Sequence, residues 1–148
     1  MNNVELVTIT GHANNWEETI KLCGEELIKK NYVDSSFIDG CIVREKEYPT
    51  GLPVEFPVAI PHSNSEGIKK DCLCFLRLDN YVKFYRMDSS EEFIKTRLIF
   101  NIAIKGHDNH LEFLQKLIGT IQNKEVMSEC LNLPIEDINK LLNQLINN

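Results

Sequence analysis

Apolar and polar positions alternate at the start of the chain: Val4 and Leu6 flank Glu5, and Val7 and Ile9 flank Thr8. That pattern predicts a strand with one phase slip. Trp16, Ile20, Cys23 and Leu27 then recur at spacings of four, three and four. They mark one face of an amphipathic helix, with Asn14 or Asn15 as its cap. A second helix is predicted from Ser35 or Ser36 to about Glu47. Pro49, Gly51, Pro53 and Pro57 come next and predict an irregular stretch.

Val58 to Ile60 reads as a short strand ended by Pro61, and Cys72 to Leu78 as a compact one. Val82 to Tyr85 reads as an edge strand or hairpin arm. Leu98 to Ile104 is almost wholly apolar, as expected of a strand buried on both faces. The period then changes. Leu111, Leu114, Leu117, Ile118 and Ile121 mark a helix, Lys124 to Leu131 a short one, and Pro134 opens a last helix reaching Leu145. The predicted fold is α/β: a central mixed sheet with helices on both faces. With 148 residues, no internal repeat and no linker, residues 1–148 are expected to form one domain.

Charge narrows the partners. The formal net charge of -6 disfavours nucleic acid and anionic membranes and leaves a basic protein partner open. Met1 to Thr10 hold no basic segment followed by an apolar run, and no stretch approaches about 18 apolar residues. The five cysteines show no framework spacing, and Cys72 and Cys74 share one strand face as core residues do. A cytoplasmic chain with reduced thiols and no membrane insertion is expected.

Three places could carry chemistry. His62 follows Pro61 at the end of a buried strand, and Pro61 constrains the backbone on either side. The ring should therefore leave the sheet end in a fixed direction, exposed and neutral, beside the small polar residues Ser63 and Asn64. Taken alone this is also the pattern of an ordinary turn histidine. Lys105 to Glu112 follows the most apolar strand and opens a helix, with Asn109 and Glu112 spaced as a capping box. His110 would lie in the first turn, where the helix end favours anions and disfavours imidazolium. His107 reads as a loop residue. Arg44, at the end of the second helix, is either a surface ion-pair partner of Glu45 or Glu47, or a two-pronged phosphoryl ligand. A zinc site built on His62, His107 and His110 is the rival reading. It is disfavoured because no cysteine, aspartate or glutamate accompanies them at ligand spacing. No phosphate-binding glycine loop is present, so ATP is not expected to bind through one, and without a G-x-S-x-G elbow a serine hydrolase is poorly supported; no cofactor is expected.

Arg44-Glu45, Pro49-Thr50-Gly51-Leu52 and Val58-Ala59-Ile60-Pro61-His62 together resemble the signature of the IIA components of the bacterial sugar phosphotransferase system, fructose and mannitol class. His110-Leu111 with Leu114 and Leu117 resembles that family's second motif. The likeness runs from about Val4 to Leu145, and the run from Arg44 to Leu52 is most similar to the galactitol-type branch.

The resemblance implies a phosphocarrier. His62 would take a phosphoryl group from the histidine carrier HPr and pass it to a cysteine of a IIB component. IIB would then serve sugar uptake through the membrane IIC component, for galactitol or a related sugar. His110 would be the second active-site histidine and Arg44 the arginine beside the phosphoryl group. The same domain type also occurs as a regulatory module that senses phosphate flux, and that is the alternative reading.

Overall fold

The computed structural model describes residues 3–64 and 66–147. Five strands and five helices form among them: β1 (Glu5–Gly11), α1 (Trp16–Lys29), α2 (Ser35–Glu47), β2 (Gly51–Leu52), β3 (Val58–Ala59), β4 (Cys72–Tyr85), β5 (Phe93–Ala103), α3 (His107–Ile121), α4 (Lys124–Asn132) and α5 (Ile135–Asn147). The strands make one sheet in the order β1-β4-β5-β3-β2. β1 runs parallel to β4 and β3 parallel to β5, whereas β4 and β5, and β2 and β3, are antiparallel. The sheet is therefore mixed, as the sequence predicts.

Alternation along β4 sorts the core into two layers. Cys72, Cys74 and Leu76 pack towards α1 and α2, with Ile20, Cys23, Leu27, Phe37 and Cys41. Leu73 and Phe75 point the other way, towards α3, α4 and α5, with Phe113, Leu117, Ile138 and Leu142. Side-chain period two in the strand and 3.6 in the helices brings these residues onto facing surfaces. Phe75 and Phe100 meet edge to face, with centroids 5.1 Å apart. Deleting such a ring costs about 3–5 kcal/mol.

The helix ends obey local chemistry. Asn15 caps α1 by accepting from the Glu18 amide at 2.9 Å, and Asp34 caps α2 by accepting from the Ser36 amide at 2.9 Å. Asn123 accepts from the amides of Glu125 and Val126 at the start of α4.

Val82 to Tyr85 is the hairpin arm of the two expected alternatives: it is the outer half of β4, which continues past an irregularity between Arg77 and Val82 and pairs antiparallel with the start of β5. Three local expectations need correction. β5 itself begins at Phe93, because its first half, alternately exposed and buried, is paired in that same ribbon. Pro134 precedes the last helix, which opens at Ile135, and its carbonyl accepts from the Asp137 and Ile138 amides. Asn109 does not cap α3. Gly106 stands at that cap with φ 83° and no side-chain cap bond, and the helix opens at His107. A positive φ is open to glycine at little cost, so the turn forms there, three residues before Asn109.

Candidate active site

The topology brings three chain segments to one end of the sheet. β3 and β5 are parallel neighbours, so the chain leaves both of them on the same side. After β3 come Ile60, Pro61 and His62; after β5 comes α3, with His110 at the end of its first turn. Arg44 and Glu45 lie in the last turn of α2. Arg44, His62 and His110 line one open cleft of about 890 Å³. Ligands of α/β sheets commonly bind beyond the carboxyl ends of parallel strands.

His62 is held by its own backbone. The Pro61 carbonyl accepts two hydrogen bonds at 2.9 Å, from the Ile102 amide and from the Asn101 side-chain amide. His62 itself pairs with Ile102 as an isolated parallel bridge. Its Nδ1 lies 2.8 Å from the Ile60 carbonyl oxygen. A carbonyl only accepts, so Nδ1 carries the hydrogen and Nε2 keeps its lone pair. The residue is only 8% exposed, not the open histidine that the sequence reading expects.

Burial sets the charge. Loss of hydration pushes the His62 pKa from 6.5 down to about 4; the Ile60 bond opposes this, while His110 and Arg44 add to it. The ring is therefore neutral around pH 7. His110 sits beside it, with ring centroids 4.7 Å apart and planes tilted by 47°. Its pKa is lowered as well, by burial first and then by Arg44 and His107. Its backbone N–H already donates to the Gly106 carbonyl, so only its ring is free for a ligand. His107 is largely exposed on the rim, where its Nδ1 lies 3.5 Å from Asp108.

Arg44 does not form the surface ion pair that its neighbours suggest. Its Nη1 donates to the Asn64 side-chain oxygen at 2.9 Å, and its guanidinium stacks 5.3 Å from the Tyr48 ring centroid. The Nε is buried with no hydrogen-bond partner among the described residues. Asn64 thereby fixes the arginine, and the Ser63 hydroxyl points at the Glu66 carbonyl, 3.5 Å away. Neither is hydrogen-bonded to the His62 ring, beside which the sequence reading places them.

Glu45 turns inward. It is 5% exposed, and its carboxylate accepts from the Thr50 amide at 2.8 Å and from the Thr50 hydroxyl at 2.9 Å. The Thr50 hydroxyl oxygen in turn accepts from the Ile60 amide at 3.1 Å. Sequence reasoning gives Glu45 only a surface ion pair with Arg44, and gives Thr50 and Asn101 no role of their own. The only signal for the first two lies in the run from Arg44 to Leu52, where a carboxylate precedes a threonine by five positions.

A neutral imidazole with one free nitrogen, beside a second imidazole and an arginine, is the chemistry of a nucleophile that receives an anionic group. The family model for the phosphoenolpyruvate-dependent sugar phosphotransferase system, EIIA 2, matches residues 1–147. The chain belongs to that family and is thus an EIIA-type phosphotransferase of bacterial sugar uptake. It is 27% identical over 118 residues to the galactitol-specific EIIA component of Escherichia coli K12, covering 79% of this chain and 78% of that protein. The crystal structure of the E. coli mannitol IIA protein superposes with a TM-score of 0.72 at 25% identity, covering 88% of this chain and 91% of that one. The E. coli mannitol IIA enzyme in complex with phosphorylated mannitol IIB enzyme gives a TM-score of 0.74 at 24% identity, over 93% and 91% of the two chains. Among the described residues no helix is long and apolar enough to cross a membrane.

Proposed function

We propose that the chain, acting in the cytoplasm as a single domain, accepts a phosphoryl group from phospho-HPr on Nε2 of His62. It then donates that group to a cysteine of a IIB component. The observation that carries this reading is the hydrogen bond from His62 Nδ1 to the Ile60 carbonyl. It fixes the tautomer, so the lone pair on Nε2 is the one available for attack.

In acceptance, a bond forms between His62 Nε2 and phosphorus while the bond between phosphorus and the donor imidazole breaks. The donor nitrogen keeps the electron pair. The arriving group brings about 1.5 to 2 negative charges. Arg44 meets that charge with a guanidinium held by Asn64 and Tyr48, and the neutral His110 ring donates one hydrogen bond. Positioning rather than further covalent chemistry supplies the rest.

Likeness to the galactitol-specific EIIA component supports galactitol or a related sugar as the transported substrate. The structure of a mannitol IIA enzyme bound to a phosphorylated IIB enzyme supports a IIB component as the acceptor. Incubation with phosphoenolpyruvate and the general phosphotransferase proteins should add one acid-labile phosphate to the intact mass. His62→Gln should add none, and stoichiometric labelling of that variant would overturn the assignment.

A further inference from the structure

One buried ionisable group has no part in the transfer described so far. Glu45 is tied to the segment before His62 by hydrogen bonds that pass through Thr50 and the Ile60 backbone. The carboxylate accepts from the Thr50 hydroxyl, whose oxygen accepts from the Ile60 amide. The carbonyl of that same residue accepts from His62 Nδ1. The Ile60 amide and the Ile60 carbonyl belong to adjacent peptide units, so the link is positional: the carboxylate strengthens the Thr50–Ile60 bond, and that bond fixes the strand end whose carbonyl holds the ring.

We propose that Glu45 is a positioning residue for His62: through the Thr50 hydroxyl its carboxylate fixes the Ile60 backbone whose carbonyl holds the Nδ1 hydrogen, and its negative charge supports the positive charge that the ring gains when Nε2 takes the phosphoryl group. This rests on the phosphoryl-acceptor reading of His62. In that step Nε2 donates its electron pair to phosphorus and the donor nitrogen recovers one. The hydrogen stays on Nδ1, so the ring becomes cationic and its bond to the Ile60 oxygen becomes charge-assisted. Thr50 also fixes Glu45 through its own amide, so the carboxylate is locked by two donors from one residue.

Ionisation of Glu45 would then set how strongly the ring is supported. Burial pushes its pKa up to about 7, against the two Thr50 bonds and Arg44, which lower it. It borders a small recess with Trp16, Lys46, Pro49, Tyr85 and Ser90, of which Lys46 and Tyr85 are titratable.

The test compares Glu45→Gln, Thr50→Val and Thr50→Ser with the parent. In the free protein, nitrogen-15 shifts of the His62 ring report its tautomer without any phosphoryl transfer. Glu45→Gln and Thr50→Val should move the ring towards a mixture of tautomers, and Thr50→Ser should keep the parent signal. Phosphorylation by phospho-HPr should quicken in the parent as pH rises through about 7. In Glu45→Gln that rise should vanish, and the rate on the alkaline side should fall about tenfold, the difference between a charge-assisted and a neutral hydrogen bond. Thr50→Ser should behave as the parent, which a packing role for the threonine methyl would not allow. Should Glu45→Gln fail to fold, the threonine pair carries the same comparison. An unchanged tautomer in folded Glu45→Gln or Thr50→Val, or a Thr50→Ser variant as impaired as Thr50→Val, overturns the proposal. A parent protein that takes no phosphate overturns the acceptor reading instead, and the tautomer measurement still decides the role of Glu45.

Discussion

His62 gives its Nδ1 hydrogen to the carbonyl of Ile60, 2.8 Å away and two residues earlier in the chain. A histidine bound to its own strand end cannot rotate freely, and its two nitrogens cease to be equivalent. Pro61 between them has its carbonyl pinned by Ile102 and Asn101. The aim of the nucleophile is therefore set by the sheet itself.

His110 and Arg44 should support transfer without being phosphorylated. A hydrogen bond to a charged group is worth about 1.5 to 3 kcal/mol. His110→Ala should slow transfer by roughly one to two powers of ten if that bond tightens in the transition state. Arg44→Lys should also be slow, because an ammonium lacks the planar fork and the face that stacks on Tyr48. Acceptance from HPr and donation to IIB are assayed separately. Parent rates for both variants in both half-reactions would contradict the role assigned to the two residues.

Stability should depend on pH through two opposed groups. The unfolded chain protonates His62 near 6.5 and the folded chain only near 4, so in that window the unfolded state holds more protons. Its contribution makes folding stability rise with pH from about 4 to 6.5. Glu45 does the reverse: folded, it keeps its proton up to about 7, against 4.5 unfolded. Its contribution makes stability fall with rising pH across that span. Glu45→Gln removes the falling part, so urea denaturation over this range should show a steeper rise than in the parent. An identical slope would contradict the burial argument.

Gly51 should not tolerate a side chain. A Cβ there would lie 2.6 Å from the Tyr85 carbonyl oxygen and 2.9 Å from Ile94 Cγ1. The carbonyl belongs to the β4–β5 ribbon and cannot swing aside as a flexible side chain would. Gly51→Ala should cost about 1–3 kcal/mol, read by thermal or urea unfolding. Because Gly51 adjoins Thr50, the variant should also accept phosphate more slowly. Parent stability would show that the segment before β3 is looser than its bonds imply.

The thiols should be slow to react in the folded protein. All five cysteines are buried and unpaired, and burial pushes Cys41, Cys72 and Cys130 up to about 12. Thiolate, the reacting form, is then scarce near neutral pH. Thiol counting should find five groups after denaturation without reductant and very few before it. Fast labelling of the native protein would contradict this.

The layers of the fold were legible because burial leaves a periodic trace. Leu98 to Ile104 is apolar almost throughout since its residues meet helices on both faces, and Phe113, Leu117 and Ile121 keep helical spacing on α3. β2, two residues long, leaves no such trace. The cap of α3 was misplaced because Asn109 and Glu112 imitate a capping box while backbone geometry at Gly106 starts the helix. His62, His110 and Arg44 were legible through their motif, and the structure brings them to one cleft. Glu45 and Asn101 were not. A polar residue on a helix or strand reads as solvated until the partner that buries it is known, and Thr50 and Pro61 are partners only in three dimensions.

The central claim is that the phosphoryl group resides on Nε2 of His62. The most direct measurement is nitrogen-15 NMR of the freshly phosphorylated protein, with the ring nitrogens of His62 assigned. The account predicts phosphorus coupling at Nε2 and a retained hydrogen on Nδ1. Coupling at Nδ1, or at any other residue, would contradict it.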